Sequence, residues 1–257
     1  MIERQGLFSI FGDDIWLLLA SRSRVHRQSV TKGLLEYIKS PETRFAADQR
    51  VMLFKAVVQI VENMFNDKII QIFLDVISLL HLVLSKEHFC EEMSESEYLS
   101  VTETLVHLLI DRSSDINPKI WMVSVITLIN LFKKPQADVE FLIQGIQQDL
   151  FTNPPDLFIL DKKYFVNKKN ANTLLARLRI FNQCLLDLDF HAAFSSILQH
   201  ICLPALNHSD PQIKESSVES FRKYYRLFPL KAREMIERSE TLNHRVLEKV
   251  FETFEQI

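Results

Sequence analysis

The sequence predicts an all-α fold, an α-solenoid of about six stacked helix pairs, and three observations predict it. Apolar residues recur at helical spacing almost from end to end, no segment alternates with the period of a strand, and only four glycines interrupt 257 residues. Each helix pair hides an apolar face that it cannot bury alone, so the pairs must stack on their neighbours. In such an array function is expected in the short turns along one edge, not in a closed pocket.

The first helix is predicted over residues 7 to 21, where Phe8, Phe11, Ile15, Leu18 and Leu19 fall on one face. A basic loop, Arg22 to Arg27, follows, and a return helix over residues 28 to 39 stops at Ser40-Pro41 because the residue before proline avoids helix. The second pair is predicted over residues 46 to 65 and 69 to 84, around a tight turn at Asn66-Asp67-Lys68. Its second helix is almost wholly apolar, as an inner layer requires. The acidic stretch Glu91 to Glu97 reads as a solvated link.

The third pair is predicted over residues 97 to 111 and from Pro118, whose missing N–H suits a first helical turn. Trp121, Val125, Leu128 and Phe132 give its second helix a buried stripe, and this helix ends before Pro135. The fourth pair opens near Asp138 and returns over residues 172 to 188. Between its helices lies the longest irregular stretch, with Pro154-Pro155, Lys162, Lys163, Lys168 and Lys169. Its apolar runs Leu157 to Leu160 and Tyr164 to Val166 predict that it packs down. The fifth pair spans residues 191 to 207, bent or cut short by Pro204, and residues 212 to 228, opened by Ser209-Asp210-Pro211. Ile213, Val218, Phe221, Tyr225 and Phe228 are its expected stripe. The last pair covers residues 229 to 238 and 243 to 257. Ending inside an apolar helix suggests one domain, residues 1 to 257, excised from a longer multidomain protein.

Composition narrows the function. Hydrophobic residues make up 47% and charged residues 25%, the balance of a soluble globular chain. A net charge of -3 gives no basic field for nucleic acid. No run is long enough to span a bilayer and the N-terminus lacks a signal-peptide layout, so the chain reads as cytoplasmic with no membrane partner. Cys90, Cys184 and Cys202 are scattered and odd in number, which predicts neither disulfides nor a zinc site; His200 and Cys202 read as core residues. There is no glycine-rich phosphate loop, nucleophile elbow or HExxH helix. Glu87-His88 and His107 are isolated, and Asp13-Asp14 and Glu91-Glu92 are adjacent charges at helix ends or in loops. An enzyme is not expected, and no cofactor is implied.

The predicted first helices start near residues 8, 46, 98, 138, 191 and 229, spacings close to those of two-helix HEAT units with loop insertions. Closer local runs refine this: Ile10-Phe11-Gly12-Asp13-Asp14 with Arg27 just past the first turn, Leu174-Leu175-Ala176-Arg177-Leu178, Lys214-Glu215-Ser216-Ser217-Val218, and Phe251 to Ile257. With these runs the chain resembles a TOG domain, a HEAT-repeat array that binds tubulin, and among these it is similar to the domain of the ciliary-tip centrosomal protein family of the 104 kDa class.

The resemblance implies binding of αβ-tubulin through the turns inside each pair. Carried onto this sequence, the contacts are Arg22, Arg24 and Arg27 in the first turn, Asn66 and Lys68 in the second, and Asn117 and Lys119 in the third. The fourth supplies Lys162, Lys163, Lys168 and Lys169, and the fifth Lys214. Arginine forks would hold carboxylates of an acidic partner surface in paired bonds. One departure stands out: Arg24 occupies the position where such domains present a tryptophan or another large residue, and Trp16 is expected in the core. The fourth turn is also longer than the family pattern. The resemblance further implies a cytoskeletal setting at a cilium tip or centriole, with other ciliary or centriolar partners bound by regions outside this chain. The alternatives are a HEAT scaffold that binds a peptide or coiled coil, and a spacer that only positions its neighbours.

Overall fold

The computed structural model describes residues 11–40, 45–85, 89–147, 150, 168–188, 194–239, 242 and 244–255. All regular structure among them is helical. The helices group into two compact units, residues 1–109 with 130–138 and residues 110–129 with 139–257.

The first unit contains α1 (Asp13–Leu19), α2 (Arg24–Lys39), α3 (Ala47–Met64), α4 (Ile70–Ser85) and most of α5 (Glu95–Arg112). Gly12 opens α1 at φ 74, a left-handed conformation that any side chain would strain. Phe8 and Ile10, counted on this helix and its motif, lie outside the described residues. Serine and not the basic run marks the next start: Ser23 caps α2 by accepting from the His26 N–H. The predicted basic loop is therefore short, and Arg24 to Arg27 form the first helical turn. The helix ends at Lys39 with Ser40 as its cap, ahead of Pro41 as expected.

The apolar pattern of α4 has its predicted consequence. Ile72, Phe73, Val76, Ile77, Leu79, Leu80, Val83 and Leu84 are all buried, on more than one face, because α4 packs against both α2 and α3. Between α4 and α5 the acidic link is only partly solvated. Glu91 and Glu92 are exposed, but Cys90 and Met93 are buried and the Gln136 amide donates to the Glu91 carbonyl at 3.2 Å. Ser94 accepts from the Glu97 N–H, so α5 starts two residues earlier than the charge pattern suggests. Tyr98 stacks on Phe54 and donates its hydroxyl to the Leu131 carbonyl at 2.9 Å. That bond satisfies the one polar atom of an otherwise apolar anchor.

The second unit holds most of α6 (Pro118–Phe132), then α7 (Val139–Gln147), α8 (Lys168–Asp187), α9 (195–205), α10 (Pro211–Leu227), α11 (Pro229–Glu237) and α12 (His244–Glu255). α10 is its hub, packed against α8, α9, α11 and α12. Pro204 acts as anticipated but through a specific device. It has no N–H to return to the preceding turn, and the helix widens into a π turn over Leu198–Cys202, where the Leu203 N–H reaches back to the Leu198 carbonyl. Asp210 caps α10 by accepting from the Gln212 N–H at 2.8 Å, with Pro211 in the first turn.

The buried stripe of α10 keeps Ile213 and Phe221 of the predicted one and differs at its other positions. Ile213, Ser217, Ser220, Phe221 and Tyr224 are buried, while Val218, Tyr225 and Phe228 are half-buried. Two serines small enough for close packing carry positions that a purely apolar count overlooks. Cys90, Cys184 and Cys202 are buried and free, and burial pushes the Cys202 thiol up to about 12. His200 differs from the core reading, being half-exposed on the π turn. Trp16 is half-buried instead of enclosed.

Candidate functional site: the turns within the helix pairs

In the first unit two turns are tied into one body. Arg27 extends from the first turn of α2 and its Nε donates to Asp67 Oδ2 at 2.7 Å, its Nη2 to Oδ1 at 3.3 Å, and its Nη1 to the Ser21 carbonyl at 2.7 Å. Only 15% of the Arg27 side chain and 6% of the Asp67 side chain are exposed. Asp67 Oδ1 also accepts from the Ile69 N–H at 2.9 Å, which sets the turn before α4. Two-pronged pairing of this kind fixes direction as well as distance. Arg27 is thus engaged internally, where the sequence reading had it facing a partner.

The other first-unit residues stand around this clamp. Arg22 and Arg24 are exposed, as are Asn66 and Lys68 on either side of Asp67. Between the first-turn arginines and Arg27 lies Val25, 72% exposed. The edge therefore offers two arginine forks, a lysine and a bare apolar side chain on a backbone already held in place.

The second unit builds its turns locally. Between α5 and α6, Arg112 Nη1 donates to Asp115 Oδ2 at 3.0 Å, while Asp115 Oδ1 accepts from the Asn117 N–H at 2.8 Å. Asn117 in turn caps α6, its Oδ1 accepting from the Lys119 N–H at 3.0 Å. Lys119 is exposed, and Ile116 at the tip is 90% exposed. In the fifth turn buried His208 accepts from the Asp210 N–H through Nδ1 at 2.9 Å, and Lys214 is exposed one turn into α10. Lys162 and Lys163 lie outside the described residues, together with the apolar runs expected to pack that loop down. Lys168 and Lys169 begin α8, which starts four residues before its predicted onset.

Sequence reasoning missed Val25 and Ile116. Each is a lone apolar residue inside a polar turn, Arg24-Val25-His26 and Asp115-Ile116-Asn117. That pattern was the available signal, since an apolar side chain in a turn without a partner element has nothing to pack on. Among the described residues no group of His, Cys, Asp or Glu is arranged to hold a metal ion, and no helix is long and apolar enough to cross a membrane.

No protein-family model matches the sequence, and no curated protein matches it. Solved structures do. The structure of the TOG domain of human Cep104 superimposes with a TM-score of 0.65 at 15% identity, covering 99% of this chain and 94% of that one. Mini spindles TOG3 from Drosophila melanogaster gives a TM-score of 0.68 at 10% identity, over 96% of this chain and 94% of that one. A structure described as the basis of microtubule plus end tracking by XMAP215, CLIP-170 and EB1 gives 0.61 at 14% identity, over 97% and 92%. The chain has the TOG fold. The likeness covers nearly the whole length in each case, so the HEAT-array architecture read from the repeat spacing holds for the chain as a unit of comparison. At these identities the TOG likeness is one of fold.

Proposed function

We propose that this TOG-fold chain is a non-enzymatic module that binds αβ-tubulin through the turns inside its helix pairs. The observation that carries the reading is the first-unit edge: Arg22, Arg24, Lys68 and Val25 are exposed around the Arg27–Asp67 clamp. Exposed cations on a fixed backbone suit an acidic protein surface, because little order must be gained on binding. The arginine forks can accept carboxylates in paired bonds, and the charges speed encounter more than they deepen affinity. Val25 and Ile116 supply the apolar contact that Arg24, at the large-residue position, does not. In this reading Asn66 is a further contact of the first unit, with Arg27 as that unit's brace instead of a contact, and Asn117, Lys119, Lys214 and the lysines of the fourth turn are contacts of the second unit.

The ciliary or centriolar setting, and a cytoskeletal location, are part of the proposal. They rest on the sequence resemblance described above and on the structural likeness to human Cep104.

The test is co-elution of the purified chain with unpolymerised αβ-tubulin at low and moderate salt. The expected result is a complex at low salt that weakens as salt rises, and that the Arg22→Glu, Arg24→Glu, Lys68→Glu triple variant fails to form while melting at the wild-type temperature. A complex unaffected by that charge reversal would remove the reading.

A further inference from the structure

The second unit carries a feature that the turns do not use. An open groove of about 820 Å³ crosses α6, α8, α10 and α12. At one end the Arg179 guanidinium lies 4.3 Å from the centre of the Trp121 ring. The ring shields one face of the cation and holds its fork in a fixed plane. No carboxylate answers it among the described residues, and burial draws its pKa below the ordinary arginine value. A half-desolvated guanidinium held in a fixed plane, with no carboxylate against it among the described residues, suits an acidic ligand.

Two further observations point the same way. Asn182 lines the groove and is only 8% exposed, yet its Oδ1 has no hydrogen-bond partner, while its Nδ2 donates to the Ser216 carbonyl at 2.9 Å. A buried acceptor left open is rare and costly unless something donates to it. The groove is also unbalanced in charge: Arg179, Arg222, Lys223 and Lys249 face Glu215 and Glu219. Glu219 is already committed, to Arg222 at 2.5 Å and to Lys223 at 3.6 Å. A second cavity of about 290 Å³ shares Trp121 and Arg179 and continues toward Ile116 in the third turn, so the path is open beyond the cation.

We propose that this groove is a second binding site, for an extended acidic peptide segment of a partner protein, with a Glu or Asp side chain on Arg179 and a backbone N–H donated to Asn182 Oδ1. An extended peptide supplies both groups at once, a carboxylate and an unpaired N–H, which neither a free anion nor a helix surface does. None of the first-unit turn residues lines the groove, and its occupant need not be tubulin.

The experiment uses fluorescence polarisation of a fluorescein-labelled peptide of alternating Glu and Gly, with a Lys and Gly peptide as counter-probe. The wild-type chain is expected to bind the acidic peptide and not the basic one. Arg179→Gln weakens binding about ten-fold, equivalent to about 1.4 kcal/mol. Lys249→Glu, an exposed change that leaves the fold alone, weakens it about three-fold. The Arg22→Glu, Arg24→Glu, Lys68→Glu variant binds as the wild type does, which separates this groove from the turns. Absence of acidic-peptide binding at low salt, equal binding of the basic peptide, or unchanged affinity in both Arg179→Gln and Lys249→Glu would overturn the proposal.

Discussion

The turn before α4 and the turn before α6 are made from the same part and differ in where its partner comes from. In each, an aspartate accepts from the backbone N–H two residues on: Asp67 from Ile69 at 2.9 Å and Asp115 from Asn117 at 2.8 Å. Each aspartate also takes an arginine. Asp115 takes Arg112, three residues back on the end of α5, and both side chains keep substantial exposure, 27% and 18%. Asp67 takes Arg27, forty residues away on the start of α2, with both side chains nearly closed off from water. The local pair shapes one turn, whereas the distant pair makes the first two turns of the chain into a single rigid edge. Position in the fold, not residue type, decides which arginine is a brace.

The difference should be visible first in stability. Asp67→Ala leaves a nearly buried guanidinium without its carboxylate and is expected to destabilise the chain by about 3 kcal/mol. Urea unfolding measures it, and adding Arg27→Ala should then cost less than the sum of the two single changes because the pair is coupled. Asp115→Ala removes a turn bond and a half-exposed ion pair, and about 1 kcal/mol is expected. If the two aspartates proved equal, the distinction between brace and local turn would fail. The smallest effects belong to Val25→Ser and Ile116→Ser. Val25 and Ile116 are 72% and 90% exposed, so melting temperatures should stay within about one degree of wild type, the range expected for surface changes. Both variants should nevertheless bind tubulin more weakly, since they remove exposed apolar side chains at those turns.

Much of this architecture could be read before any coordinates. Apolar spacing located the helix pairs, and proline with a capping aspartate fixed the start of α10 at Asp210-Pro211. The almost unbroken apolar run of α4 announced a helix covered on more than one side. What sequence could not carry was long-range or one-residue detail. Arg27 and Asp67 are forty positions apart, and nothing local marks Arg27 off from Arg22 or Arg24. The stripe of α10 was placed on Tyr225 when Tyr224 is the buried ring, because Ser217 and Ser220 hold core positions without looking apolar. Charge marks the turn cations in the sequence, whereas the two apolar side chains beside them are marked by their exposure. The structure separates the turn cations into kinds that composition treats alike: Arg27 is held inside, and Arg22, Arg24 and Lys68 are presented.

That separation can be tested at one position. Arg24→Glu should raise the Kd for unpolymerised αβ-tubulin at least about ten-fold in a polarisation titration at low salt, with the urea midpoint unchanged. The account predicts that pairing of lost affinity and intact stability, because Arg24 is exposed at the start of α2. An unchanged Kd would contradict it, and would mean that the exposed cations of the first turn do not meet tubulin.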